Sequence, residues 1–594
     1  MSGLQSIDVF CLVILCISVT TSAPVERIHL EKLSTIYLPH SYVDGVPQYK
    51  YNSLAATQSA YDARQHVVYV IGGSLLHAYD VGDPLNPTMI LKTRLAGVEL
   101  LDVEFCGDHL LVSMDNLVNK ENGMVKVYRR YNTVKKSLDL VHTITVGSLP
   151  DMILPTSDCQ TVVVAVEAEA YYNGTHFVDP EGAVGIIEFE PLKGAESELQ
   201  YTRLDFKKFN KEWEDLVARG ARFVYRNNNN SFSNDVEPEF ITFSKDEQIA
   251  YVSLQENNAF AEVDIINKEI LAIHPFGYKN WTNSKLDASD KDHAINIRSW
   301  PVMGMYLPDS IKAISVGDKS YLLTANEGDT KDYTNIPGSG GFNEATRASK
   351  LTIADSSDVA RWADMNGFNT TLLDKDNLGR LMVSNLEGKV GDAYNALYAF
   401  GGRSMSIFDL STFDLVYDTG SDVEELMAQQ EPEMFNADGK LKNDVVSSTK
   451  DTRSDNKGPE VEGIEAAQIG SSVVIFLGIE RPGLIAVYSI SDDVSSLKFE
   501  SLWTGITKTD DTFGNLYGQR AISGVDPEDL RYIPPQDSPN GQPLLLCTGT
   551  VSGTVSLLEV RGVNKVGIHI PDTDGHIQDT DGHIPDTDGK PVFG

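Results

Sequence analysis

Cysteine is scarce, five in 594 residues, and two of the five, Cys11 and Cys16, fall inside an N-terminal apolar run. No C-x-x-C or Cys/His spacing marks a zinc site. Cys106, Cys159 and Cys547 permit at most one intramolecular disulfide. Proximity in sequence favours Cys106–Cys159 and leaves Cys547 over. Histidine is sparse outside the C-terminal tail and shows no pairing with a nucleophile. G-x-S-x-G, H-E-x-x-H and P-loop motifs are absent. Bases are in deficit: 49 Lys and Arg stand against 85 Asp and Glu, a net charge of −36. That balance excludes a nucleic-acid binder, which needs clustered Lys and Arg to neutralise phosphate. The apolar run Val9–Val19 is too short to span a bilayer, which takes about 20 residues.

That run reads instead as a secretory signal cleaved after Ala23, with a retained anchor as the alternative. Asp8 is the only charge ahead of it, and Pro24 follows the cleavage point. No membrane span is expected once residues 1–23 are removed. Sequons at Asn173, Asn229, Asn280 and Asn369 lie in polar stretches, and four of them behind a signal predict glycosylation. The apolar share of 41% is well above the disordered range, so a packed core is expected.

Short β-rich runs recur in pairs. VVYVIGG is followed by LLHAYDV, HLLVSMD by MVKVYRR, TVVVAVE by VGIIEFE and IAYVSLQ by AFAEVDI. ALYAFGG is followed by SMSIFDL, VVIFLGI by LIAVYSI and LLLCTGT by TVSLLEV, while YLLTANE has no evident partner. Each run is bounded by Gly, Asn or Asp, the grammar of strands and turns. About eight such units over some 500 residues read as an all-β fold, a β-propeller of seven or eight blades spanning residues 24–562. A series of β-sandwich domains is the alternative, but no Pro/Ser-rich linker separates any. Residues 329–395, with a helix-like piece near Ser356–Trp362, and residues 423–460 read as long loop insertions. Gly-Gly at 72–73, 340–341 and 401–402 reads as turn chemistry.

A Pro-acid-x-φ-x-x-φ element precedes most of the hairpins, at Pro150, Pro238, Pro308, Pro459 and Pro527. VELLDVEF at Val98 fits without the proline. The acids of this element are Glu99, Asp151, Glu239, Asp309, Glu460 and Glu528, and four following strands end at Glu167, Glu256, Glu327 and Glu480. An antiparallel hairpin returns to the edge it left, so these acids are expected to gather at one mouth of the channel. Carboxylates at that density call for a cation, and hard oxygen donors suit Ca²⁺. The expected metal set is Glu239, Glu256, Asp309, Glu327, Glu460 and Glu462. The competing reading has these acids capping turns or pairing with Arg481 and Arg531. Looser clusters at Asp287, Asp290 and Asp292, and at Glu327, Asp329 and Asp332, have calcium-loop spacing but equally suit solvated loops.

Residues 563–594 form a tail with a seven-residue repeat, HIPDTDG at His569, HIQDTDG at His576 and HIPDTDG at His583. It holds too few apolar residues to fold alone. Each D-T-D-G opens like an EF-hand loop but lacks its later ligands. Asp572, Asp574, Asp579, Asp581, Asp586 and Asp588 are therefore expected to bind Ca²⁺ weakly or to meet a mineral surface.

Four segments carry a family resemblance: 234–265 (NDVEPEFITFSKDEQIAYVSLQENNAFAEVDI), 308–329 (PDSIKAISVGDKSYLLTANEGD), 456–465 (NKGPEVEGIE) and 538–560 (SPNGQPLLLCTGTVSGTVSLLEV). They resemble the choice-of-anchor I proteins over roughly residues 45–562. In animals that group includes the mesenchyme-specific cell-surface glycoproteins of skeleton- and shell-forming cells. In bacteria it includes secreted proteins labelled alkaline-phosphatase-like, although the nucleophile motif of true alkaline phosphatases is not visible here. The resemblance implies a YVTN- or WD40-like propeller and a role in calcified-matrix formation. The ending PDTDGKPVFG lacks the apolar tail of a GPI signal, so a secreted matrix protein is expected, with mineral and other matrix components as partners. The alternative is an extracellular metal-dependent phosphohydrolase using the same carboxylates, and a third reading is a scaffold for protein partners.

Overall fold

The structure, a computed structural model, describes residues 27–189, 199–227 and 230–562. The expected signal, the tail with its six aspartates, and Asn229 lie outside the described residues.

Alternating apolar runs separated by Gly, Asn and Asp turns fold into consecutive antiparallel strands. The described residues contain seven four-stranded antiparallel sheets. Sheet one comprises Ser59–Asp62, Val67–Gly72, Leu75–Asp80 and Thr88–Arg94, and sheet two Val98–Cys106, His109–Asn116, Gly123–Arg129 and Leu140–Gly147. Sheet three is Pro150–Pro155, Thr161–Val166, Ala183–Phe189 and Leu199–Asp205, and sheet four Pro238–Phe243, Ile249–Leu254, Ala259–Asp264 and Glu269–Pro275. Sheet five is Ile311–Val316, Lys319–Ala325, Met405–Asp409 and Leu415–Asp418, and sheet six Val461–Ile469, Ser472–Ile479, Leu484–Ile490 and Lys498–Thr504. Sheet seven is Leu530–Ile533, Leu544–Gly549 and Thr554–Arg561, completed by His29–Tyr37 from the other end of the chain.

The first strand of each sheet packs on the first strand of the next, so the sheets run round a common axis. The ring closes where Ile36, Val555, Leu544 and Leu546 of sheet seven share a core with Val68 and Val70 of sheet one. This is a β-propeller, in which side-by-side sheets bury both faces. Middle strands such as Leu484–Ile490 are buried at every position, which explains their unbroken aliphatic sequence. Cys106 and Cys159 are disulfide-bonded between sheets two and three, and Cys547 is free and buried.

One pairing differs from the sequence reading. ALYAFGG and SMSIFDL are not a hairpin. Tyr398–Phe400 runs parallel to Met303–Met305 in a separate five-stranded sheet, while Met405–Asp409 pairs with Lys319–Ala325, the YLLTANE strand. Gly401-Gly402 is accordingly no hairpin turn but a close crossing. Gly401 has φ +82, and a side chain there would strike the Glu327 carbonyl. The insertion between those strands carries the helix Asp358–Met365, capped by Ser357, and the second insertion carries Asp422–Gln430. Among the described residues, no helix is long and apolar enough to cross a membrane.

Candidate functional site

A polar cavity of ≈ 290 Å³ lies on the axis and takes residues from all seven sheets or the turns that lead into them. Its geometry follows from a shared register. Val103, Ile153, Ile241, Ile311, Ile464 and Leu530 occupy equivalent places on the first strands, facing Val112, Val164, Val252, Thr324, Leu477 and Cys547 of the second strands. In sheets two, three, four and six the register slips by one residue just before this place, a β-bulge that re-aims the side chains next to it. N–H groups just before this place find side-chain acceptors in sheets two, four and seven. Asp102 N–H donates to Ser113 Oγ at 2.9 Å, Phe240 N–H to Ser253 Oγ at 2.8 Å, and Asp529 N–H to Thr548 Oγ1 at 2.9 Å.

Two positions before the aliphatic residue stand Asp151, Glu239, Asp309, Glu462 and Glu528, and all five line the cavity. Leu101 takes this place in sheet two. Among the described residues no ion pair joins any of the five acids to a base. Asp309 is reached by the Ser310 hydroxyl and Glu528 by that of Thr550, while buried oxygens of Glu239 and Glu462 have no hydrogen-bond partner. Burial, and after it the neighbouring carboxylates, pushes Glu239, Asp309 and Glu462 well above the ordinary carboxylate range. Burial pushes Asp151 up to about 6 and Glu528 up to about 7. Glu167 joins them in the cavity, raised by burial and by Asp151.

Four positions before the same aliphatic residue stand Glu237, Glu460 and Asp526, and these acids are paired. Glu460 receives Arg453 Nε at 2.8 Å, Arg481 at 3.1 Å and Lys457 at 3.7 Å. Burial opposes its ionisation, but Lys457, Arg481 and Arg453 outweigh burial and hold it well below the ordinary glutamate range. Asp526 lies 3.0 Å from Arg481, and Glu237 2.5 Å from the buried Lys331. At this place the backbone of Leu149, Leu307, Glu460 and Asp526 is left-handed, with φ of 47, 44, 49 and 64. Such conformations cost non-glycine residues about 1–3 kcal/mol each.

The structure thus separates acids that the Pro-acid element aligned. Glu460 follows a proline as Glu239 does, yet Glu462 is the structural counterpart of Glu239. Glu99, the element's acid in sheet two, is exposed; Asp102 and Glu104 line the cavity instead. Of the six expected ligands, Glu239, Asp309, Glu327 and Glu462 line the cavity and Glu256 and Glu460 do not. Glu327 is held by Lys457 at 2.6 Å and by the amide of Gln255 at 2.9 Å. Glu256 is buried beside Glu237 and has an oxygen without a partner.

Two trios, Glu327–Glu460–Glu480 and Glu462–Glu480–Asp526, bring carboxylate oxygens within 4.8 Å of one another. Lys457 and Arg481 already neutralise the first, and Arg481 bridges Glu480 and Asp526 of the second. The tightest groupings are therefore ion-paired, and the wider ring of Asp151, Glu239, Asp309, Glu462 and Glu528 holds the uncompensated charge. Oxygen donors without His or Cys suit a hard cation. Arg531 pairs with Glu104 at 2.8 and 3.1 Å and not with an acid of the repeated element. Period-two alternation of Asp102 and Glu104 was the one sequence signal for that pair.

The looser clusters are locally satisfied. Asp287 accepts the N–H of Asn296 at 2.6 Å, Asp290 pairs with Arg380, and Asp332 caps Thr334. Asn173, Asn280 and Asn369 are exposed, as glycosylation requires. In the first two the sequon threonine donates to the asparagine carbonyl, at 2.7 and 2.8 Å.

The choice-of-anchor I domain model matches residues 57–493. The chain belongs to the choice-of-anchor I family. It is 41% identical over 188 residues to Gigasin-3a of Magallana gigas, covering 32% of this chain and 66% of that protein. It is 29% identical over 410 residues to the mesenchyme-specific cell surface glycoprotein of Strongylocentrotus purpuratus, covering 64% of this chain and 49% of that one. The chain thus spans only part of each relative. The WD40 domain of Toxoplasma gondii coronin is similar in structure at 9% identity and a TM-score of 0.37, covering 91% of this chain and 87% of that one. A choice-of-anchor I domain with a cell-surface glycoprotein among its relatives points to an extracellular or surface location.

Proposed function

We propose that this choice-of-anchor I protein is a secreted acidic glycoprotein of calcified extracellular matrix that binds Ca²⁺ in its axial cavity. The observation that carries the reading is the ring of Asp151, Glu239, Asp309, Glu462 and Glu528, which converge on one cavity with no ion pair to any of them among the described residues. Buried carboxylates in that arrangement either hold protons or hold a cation. Extracellular calcium is a hard, oxygen-preferring ion that flexible, multi-carboxylate sites accept. The tail aspartates Asp572 to Asp588 supply a second, weaker set that faces mineral or other matrix components. The family resemblance to glycoproteins of skeleton- and shell-forming cells supports this setting.

The test is calorimetric calcium titration of the glycosylated chain, with and without residues 563–594, beside a phosphate-ester turnover assay. Tight binding that survives loss of the tail, without turnover, supports the axial site. Turnover dependent on the tight metal would replace this reading with the hydrolase. Weak binding that leaves with the tail would sink the axial site and favour a scaffold.

A further inference from the structure

On the outer edge of sheet one, far in character from the axial acids, lies a second pocket of ≈ 330 Å³. The hairpin Ser41–Val43/Val46–Gln48 packs against the end of the strands Leu75–Asp80 and Thr88–Arg94. Lys92 and Arg94 are two residues apart on the outermost strand, so both project from one face, opposite His77 and Leu75 of the neighbouring strand. Among the described residues neither makes an ion pair. Lys92 donates to the Gly45 carbonyl at 3.2 Å and sits 4.0 Å over the Tyr42 ring, and Arg94 donates to Ser74 Oγ at 3.3 Å. Among the described residues no carboxylate lines this pocket, in a chain with 85 acids. Its remaining polar lining comes from Ser41, Tyr42, Ser74 and His40, with the strand residue Thr93 between the two bases.

Two observations mark the pocket as built. His40 shares a 3.2 Å contact with Ser41 through Nε2, and its Nδ1 is buried without a hydrogen-bond partner. Beneath it, the fully buried His77 hydrogen-bonds Tyr42 Oη at 3.0 Å, fixing the ring against which Lys92 rests. Burial, and then Lys92, pushes His77 down to about 4, so it stays neutral and the positive charge belongs to Lys92 and Arg94. Asp44, in the hairpin turn beside Gly45, is the nearest acid in sequence and is exposed.

We infer that this pocket binds a sulfate or phosphate group carried as an ester on a sugar-sized molecule. A guanidinium and an ammonium converging with several hydroxyl donors match the oxygens of a tetrahedral oxyanion. The volume exceeds a bare anion and lies at the small end of small-molecule sites. The Tyr42 ring offers an apolar wall for the carrier.

The test titrates glucose 6-sulfate, glucose 6-phosphate, inorganic sulfate, inorganic phosphate and glucose into the full glycosylated chain, in EDTA to prevent calcium bridging. Saturable binding of either ester is expected, weakening with added salt. It should fall by about tenfold or more in the double variant K92Q/R94Q and persist in K92R/R94K. Near-UV circular dichroism and the calcium titration of K92Q/R94Q should match the parent, since neither residue touches the axial ring. Binding by the inorganic ions alone would keep the oxyanion site and overturn the ester. Equal binding of glucose, no saturation in the millimolar range, or unchanged binding in K92Q/R94Q would overturn the site itself.

Discussion

Glu460 and Glu462 stand two residues apart at the start of one strand, and among the described residues only Glu460 is ion-paired. Arg453, Lys457 and Arg481 converge on Glu460, whereas Glu462 faces Glu327, Asp526 and Glu528 in the cavity. One carboxylate is a strut and its near neighbour is stored repulsion.

Substitution should therefore act in opposite directions. Glu460→Gln leaves three cations without their shared partner and is expected to destabilise by about 3–5 kcal/mol. Glu462→Gln removes a charge that burial and neighbouring acids oppose. It should stabilise the calcium-free protein at neutral pH by on the order of 1–3 kcal/mol, because the folded state no longer has to keep a proton on that site. Urea unfolding in EDTA measures both.

The pH dependence has a definite sign. Asp151 rises from 3.8 to about 6 and Glu528 from 4.5 to about 7 in the folded protein. The folded state then holds more protons than the unfolded chain through this window, so calcium-free stability should fall as pH rises from about 4 to about 7. Glu460, held low, contributes the opposite trend, its stabilisation lost as pH falls below its ordinary value of 4.5. Melting temperatures in EDTA that climb steadily from pH 4 to pH 8 would contradict the ring's electrostatics.

Calcium should displace those protons. Binding at pH 7 is expected to release protons, seen as a calorimetric enthalpy that varies with buffer ionisation heat, and affinity should weaken by about tenfold or more at pH 5.5. Glu239→Gln combined with Glu462→Gln should remove the tight site, while Glu256→Gln, outside the cavity, should leave it. Loss of the site in both variants alike would move the metal away from the ring.

The cysteines predict a simple chemical outcome. A thiol reagent should find no reactive group in the native fold, because Cys547 is buried and burial pushes its thiol up. One thiol should appear on unfolding. Replacing Cys106 and Cys159 by serine should lower stability by about 2–4 kcal/mol, since their bond closes a 53-residue separation.

Much of this was legible along the chain. Alternation and turn residues are local, so VVYVIGG–LLHAYDV, IAYVSLQ–AFAEVDI and VVIFLGI–LIAVYSI pair as read. The order of strands within a sheet was less so. YLLTANE finds SMSIFDL across an insertion of nearly eighty residues, and no periodicity spans such a gap.

The sequence by itself determined the strand-and-turn grammar, the excess of acid and the recurrence of acids ahead of most of the sheets. Tertiary structure alone decided which acids are paired. A β-bulge shifts the count by one residue, turning Glu239 and Glu462 into the cavity. A left-handed residue turns Glu460 and Asp526 toward Arg481. A carboxylate's role depends on which charges come within a few ångströms of it, and those charges arrive both from the turns of its own sheet, as Arg481 does for Glu460, and from other sheets, as Lys457 does for Glu327.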